Sequence, residues 1–117
     1  MWPVAVLLGD SQTQLGWEGG GWVQLLADQF VRCRCSYCLP VLLPLMCHVR
    51  RVDLLNRGLS GYNSRMLLPA LPHLASPELL GRASMITLML GSNDASLPDT
   101  NPEQAVPLEE FGDNLLR

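Results

Sequence analysis

Charge is scarce in this chain, and the balance leans acidic. Charged residues make up 16% of the 117, and the formal net charge is −3 at pH 7. A protein that binds nucleic acid by neutralising phosphates needs the opposite balance, so no nucleic-acid partner is expected. No stretch reaches the ~18 uninterrupted apolar residues of a membrane-spanning helix, so no transmembrane segment is expected. The apolar start MWPVAVLL has neither the basic flank nor the small-residue cleavage site of a secretory leader. It reads instead as a buried strand, and an intracellular, cytoplasmic location is the default expectation. Histidine occurs only as His48 and His73. Cysteine is confined to one window, at Cys33, Cys35, Cys38 and Cys47. A disulfide framework would spread its cysteines around the domain, so the redox state of these four stays open.

Apolar material, by contrast, is plentiful. Hydrophobic residues account for 48% of the chain. That suffices for a core, and the length suits one ordinary domain over residues 1–117. Val4-Ala5-Val6-Leu7-Leu8 is a continuous apolar run rich in β-formers, as in a parallel strand buried on both faces. Trp22, Leu25, Leu26 and Phe30 recur at helical spacing and predict a helix over 21–31. Residues 52–55 predict a second strand. Asn63 or Ser64 then suits the cap of a helix through Arg65 and Leu68, with Pro69 and Pro72 making its middle irregular. MITLML, residues 85–90, predicts a third strand. A last helix is expected from Pro107, with Glu109 and Glu110 at its positive end.

The order strand, helix, strand, helix, strand, helix implies βαβ units with right-handed crossovers, hence an α/β fold around a parallel sheet. Residues 34–51 interrupt this pattern. The segment is rich in cysteine, proline and leucine, lacks periodicity, and sits where a connection of a few residues is usual. It reads as an atypical insert.

In parallel sheets a ligand site forms beyond the carboxyl ends of the strands. Each strand here is followed at once by a small or polar group: GDS, NRG and GSND. Ser11 follows a glycine that permits a sharp turn, and its hydroxyl could attack a carbonyl while its own N–H binds the oxyanion. Gly58 offers an N–H unshielded by a Cβ. Asn93 offers a neutral side-chain amide as an oxyanion donor. Taken singly, each has a plainer reading: a cap or turn serine, a turn glycine, a turn asparagine with Asp94 as a local cap.

In combination they resemble the GDSL/SGNH hydrolases, serine esterases and lipases, and among them the isoamyl acetate-hydrolysing esterases. The stretches that carry the resemblance are GDSQTQ, GGGWVQLLADQFVR, VDLLNRGLSGYNSR and TLMLGSNDASLPDTNPEQAVPLEEFGDNL. They cover most of the chain outside 34–51 and the proline-rich middle. The resemblance implies a flavodoxin-like sheet, of which about three strands are present. It implies Ser11 as the nucleophile. The Ser11 N–H, the Gly58 N–H and the Asn93 side chain would form the oxyanion hole. The implied reaction is hydrolysis of a small carboxylic ester, with short-chain acyl or acetate groups, through an acyl-enzyme. No metal or organic cofactor is implied.

The family's Asp-x-x-His motif, whose histidine is the general base and whose aspartate orients it, is missing from these 117 residues. Leu45 and Ala70 stand three residues before His48 and His73, and no histidine follows Asn93. The expectation is therefore an impaired or inactive, C-terminally shortened product of an esterase gene. A strand order of 2-1-3 would leave the third strand at an open edge, so self-association is expected there. Two rival classes remain. One is a catalytically dead interaction partner of an intact esterase. The other is a zinc-binding module built from Cys33, Cys35, Cys38, Cys47 and His48, whose spacing departs from paired zinc ligands. Trp17 and Trp22 are candidates for an acyl pocket, and Trp22 also fits the helix stripe.

Overall fold

The computed structural model describes residues 3–31 and 52–117. The sheet has three parallel strands in the order β2-β1-β3. β1 spans Val4–Gly9, β2 Asp53–Gly58 and β3 Ala83–Met89. β1 is central because it alone is apolar at nearly every position, and all six of its residues are buried. Its side chains alternate between the two faces of the sheet. Val4, Val6 and Leu8 form one core cluster with Leu55, Leu71, Leu74, Leu79 and Ala83, while Ala5 and Leu7 are fully buried on the other face.

After β1 come α1 (Ser11–Gln14), a 3₁₀ turn (Leu15–Trp17) and α2 (Trp22–Val31). β2 leads to α3 (Ser64–Leu74) and α4 (Pro77–Arg82), and β3 leads through a long loop to α5 (Leu108–Leu115). The chain steps from β1 to β2 and then back across to β3. Right-handed crossovers in opposite directions place α2 and α3 on opposite faces. Among the described residues no helix is long and apolar enough to cross a membrane. The expected insert at 34–51 lies outside the described residues.

Two expectations need correction, and one helix, α4, was not foreseen in the sequence. First, β2 runs on through Asn56 and Arg57 to Gly58. An edge strand tolerates polar side chains, so hydrophobicity alone places its end too early. Helix α4 is too short to show a repeat; its signal is chemical. Ser76 caps it by accepting from Leu79 N at 3.3 Å, and Pro77 and Glu78 fill the first turn. Second, α3 is continuous through Pro69 and Pro72. The residues that bind it to the sheet side, Leu67, Leu71 and Leu74, follow i, i+4, i+7 spacing, and both prolines fall on the opposite, exposed side. Burial of that stripe holds the helix together despite two missing N–H donors.

The prolines should therefore act against stability. Pro69→Ala restores a donor in the middle of α3 and should stabilise the fold by up to about 3 kcal/mol. Urea unfolding followed by circular dichroism measures it, and a destabilised variant would contradict the account.

Candidate active site

The register of the sheet sets the site. Gly9 pairs with Gly58 on one side and with Met89 on the other. The three strands thus end at one level, and the loops after them emerge side by side. Ser11, Gly58 and Asn93 all belong to this edge.

The first loop is closed around Gly9. A Cβ there would lie 2.3 Å from both Met89 O and Thr13 Oγ1, so only glycine lets α1 pack this close to the end of β3. Asp10 N donates to Met89 O at 3.2 Å, and Leu59 N donates to Gly9 O at 2.8 Å. Asp10 is the N-cap of α1: its Oδ1 accepts from Gln12 N at 3.0 Å. Its Oδ2 accepts from the Ser92 hydroxyl, joining the first loop to the third. With 1% of its surface exposed, Asp10 is a buried carboxylate with both oxygens engaged. Ser11 is the first residue of α1 and half-buried. Neither its N–H nor its hydroxyl has a hydrogen-bond partner among the described residues.

The second loop is tied to α1 by Asn56. Its Nδ2 donates to Thr13 O at 2.6 Å and to Gln14 O at 3.3 Å. Its Oδ1 accepts the Gly58 N–H at 2.9 Å. This corrects the expectation for Gly58, whose N–H is already satisfied by its own strand. The demand for glycine at this position has a packing cause, since a Cβ would lie 2.2 Å from Gln14 N. Three residues on, Gly61 adopts φ +79 and its N–H has no acceptor among the described residues. Ser60 N, just before it, donates to Gln14 Oε1 at 2.6 Å, which holds this part of the loop against the serine helix.

The third loop grips the second. Asn93 Nδ2 donates to Tyr62 O at 2.8 Å, beside Gly61. Asp94 Oδ1 accepts from Ser64 N at 2.8 Å, so Asp94 acts across 30 residues and not as a local cap. Asn63 caps α3 through Met66 N at 2.9 Å, and its amide donates to Gln104 O at 2.9 Å and to Glu103 O at 3.3 Å. Arg65 and Glu110 close the outer side with two hydrogen bonds of 2.6 and 2.7 Å. That contact raises the Arg65 pKa and holds the Glu110 carboxyl below its ordinary range. A small apolar cavity of about 240 Å³ lies under this loop, between Gly91, Asp94, Val106 and Phe111.

No base reaches Ser11 among the described residues. His73 is exposed in the last turn of α3. Nine residues separate it from Ser64, about 14 Å along the axis, and α3 runs back toward the amino ends of the strands. His48 and the candidate zinc ligands Cys33, Cys35, Cys38 and Cys47 lie outside the described residues. Trp22 has a structural task, its indole N–H donating to Gln12 O at 2.9 Å, and Trp17 is 46% exposed. Sequence reasoning missed Asn56, Gly61 and Asp10, and the long-range contacts of Asn63 and Asp94, because the partners of these side chains are dozens of residues away. Gly58→Ala should cost about 1–3 kcal/mol by forcing α1 away from β2, read from a urea titration; a neutral result would remove the packing account of this glycine.

Comparison with known proteins adds the lineage. No protein-family model matches the chain. It is 40% identical to the isoamyl acetate-hydrolyzing esterase 1 homolog of Mus musculus over 98% of its own residues, which is 39% of that protein. It is 39% identical to the Homo sapiens counterpart, covering 98% of this chain and 40% of that one. A GDSL esterase/lipase of Arabidopsis thaliana is 35% identical over all of this chain and 41% of its own length. The chain thus spans about two fifths of the curated relatives it matches. The level carboxyl edge with its serine and asparagine loops, and relatives that are esterase homologs in mammals and a GDSL esterase/lipase in a plant, lead to one conclusion: the chain belongs to the GDSL/SGNH hydrolase family.

Proposed function

We propose that this chain carries the nucleophile and oxyanion-binding part of a serine esterase that acts on small carboxylic esters. The observation that carries the reading is the interlocked edge. Asp10–Ser92 and Asn93–Tyr62 fix the serine loop and the asparagine loop against the same sheet end. In this reading Ser11 Oγ attacks the ester carbonyl and forms an acyl-enzyme, which water then hydrolyses. The oxyanion is received by the Ser11 N–H and by the Asn93 amide, whose second N–H is left over from its bond to Tyr62. The donor from the second loop is Gly61 rather than Gly58, because the Gly58 N–H is bound to Asn56. No step calls on a metal or an organic cofactor.

The proton of Ser11 is the difficulty. The 117 residues contain no Asp-x-x-His. Loss of the serine or histidine of a serine protease triad lowers kcat on the order of 10⁶-fold. A similar deficit is the expectation for this polypeptide alone, and a small external base should relieve part of it. Turnover of p-nitrophenyl acetate should be near background without additive. Added imidazole should raise it in the native chain and not in Ser11→Ala. Asn93→Ala should reduce the assisted kcat by about 10²–10³-fold. Absence of Ser11-dependent turnover at every imidazole concentration would sink the esterase reading. Strong unaided turnover would show that another group serves as base.

Self-association belongs to the same proposal, with a second copy of the chain as the partner. β3 is an edge strand, no charged residue occurs from Ala83 to Leu90, and Ile86 and Leu88 are 50% and 51% exposed. An edge with free backbone groups and no charge to repel a neighbour is suited to pairing. Light scattering on a size-exclusion column should find dimers or larger species, and Ile86→Lys should shift them toward monomer. A monodisperse native monomer refutes this part.

A further inference from the structure

Asn93 and Asp94 are consecutive, and both side chains reach the loop after β2. Asn93 Nδ2 binds Tyr62 O, and Asp94 Oδ1 takes the N–H of Ser64, two residues further on. Asp94 is 5% exposed. Its main-chain carbonyl accepts from Val106 N at 3.0 Å, so the residue is held from both sides. Its second carboxylate oxygen, Oδ2, is buried and has no partner among the described residues. A buried oxygen without a donor is costly, so the position must repay that cost through what Oδ1 does. Asn63 Oδ1 takes Met66 N, and Asp94 Oδ1 takes a different orphan donor of the same helix start, the N–H of Ser64. What the Asp94–Ser64 bond adds is a fixed end to the short segment that carries Gly61 and Tyr62. The other end of that segment is fixed by Ser60 N on Gln14 Oε1.

We propose that Asp94 is a positioning residue: by holding the Ser64 N–H it fixes the Tyr62 carbonyl, and that carbonyl sets the orientation of the Asn93 carboxamide. The catalytic purpose of this device rests on the esterase reading; the positioning itself does not. Asp94 touches no reacting atom. It keeps one N–H of Asn93 occupied by Tyr62 so that the other has a defined direction, which is the preorganisation an oxyanion donor needs. Asparagine at this place could accept the same bond from Ser64 and put its amide where Oδ2 now lies.

The test uses the full 117-residue chain, labelled with ¹⁵N, and reads the side-chain amide of Asn93. In Asp94→Ala the exchange of the Asn93 amide protons should quicken about tenfold, the equivalent of one ordinary hydrogen bond, while Asp94→Asn stays within about threefold of native. Ser64→Pro provides an independent arm. It deletes the donor instead of the acceptor at a first-turn position where proline is tolerated, after Asn63 with φ −106 and ψ 178, a conformation that suits the residue before proline. It should loosen Asn93 as Asp94→Ala does. Imidazole-assisted turnover should fall about tenfold in kcat in both, with KM within about twofold, since donor alignment matters most in the transition state. Unchanged Asn93 signals in folded Asp94→Ala or Ser64→Pro overturn the proposal. Loss of folding in both variants also overturns it, by assigning the bond to stability alone. Failure of the esterase reading looks different: turnover would then be insensitive to Ser11→Ala, while the Asn93 amide would still report on Asp94.

Discussion

The pairing of Gly9 with both Gly58 and Met89 is the constraint on which everything at this edge depends. Side-chain direction in a strand has a period of two, so a slip of one residue would turn every inward group outward. β1 cannot slip, because it is buried on both faces and flanked by partners on both sides. The level at which β2 and β3 end is therefore fixed by the core and not by the loops. The loops inherit that level. Ser11 lies two residues past Gly9, and Asn93 lies four past Met89, so the core has already decided which loop residues can meet.

Fixing a level does not by itself fix side chains, and here the polar contacts take over. Asp10, Asn63, Ser64 and Asp94 are all buried at the edge, where apolar residues would be expected to do the packing. Each is bonded to a group on another loop or helix: Asp10 to the Ser92 hydroxyl, Asn63 to the Gln104 carbonyl, Ser64 Oγ to the side-chain amide of Asn114, and Asp94 to the N–H of Ser64. A hydrogen bond of this kind contributes about 1 kcal/mol net, but breaking one partner leaves the other stranded at a larger cost. The network therefore resists partial change more than it adds stability. That suits a place where geometry has to be held while no hydrophobic side chain stands in the way of a ligand.

These features were unequally legible in the sequence. β1 could be read because every residue from Val4 to Leu8 is apolar, and the start of α3 because Asn63 precedes a helical stripe. The end of β2 could not, since Asn56 and Arg57 look like a turn until the strand is known to be an edge. The continuity of α3 was hidden because proline speaks to the backbone, while Leu67, Leu71 and Leu74 decide the outcome through the core. In the site, Ser11 and Asn93 were legible as motif residues. The glycines were not separable: Gly58 and Gly61 both fall in one polar stretch of sequence, and only the bond from Gly58 N to Asn56 Oδ1 tells a packing glycine at the end of β2 from one whose donor has no acceptor among the described residues. Contacts such as Asp94 to Ser64, 30 residues apart, leave no local pattern at all.

Under the proposed esterase reading, the division of labour between oxyanion donors and general base makes the composition of this segment intelligible. Oxyanion donors act by being in place before the reaction, and their contribution depends on rigidity. A general base acts by proton affinity, and it can approach on an element that is otherwise loosely connected. The part held here is the part that must be rigid. Its donors come from loops that follow strands in one sheet, so sheet register, close-packed glycines and buried carboxylates can align them. A base would only need to come within hydrogen-bond reach of Ser11, which is half-buried and whose hydroxyl has no partner among the described residues. An arrangement of this kind separates the two contributions physically. In the proposed reading the electrostatic half is built into the sheet edge, and it is folded and aligned although no proton acceptor reaches Ser11 among the described residues.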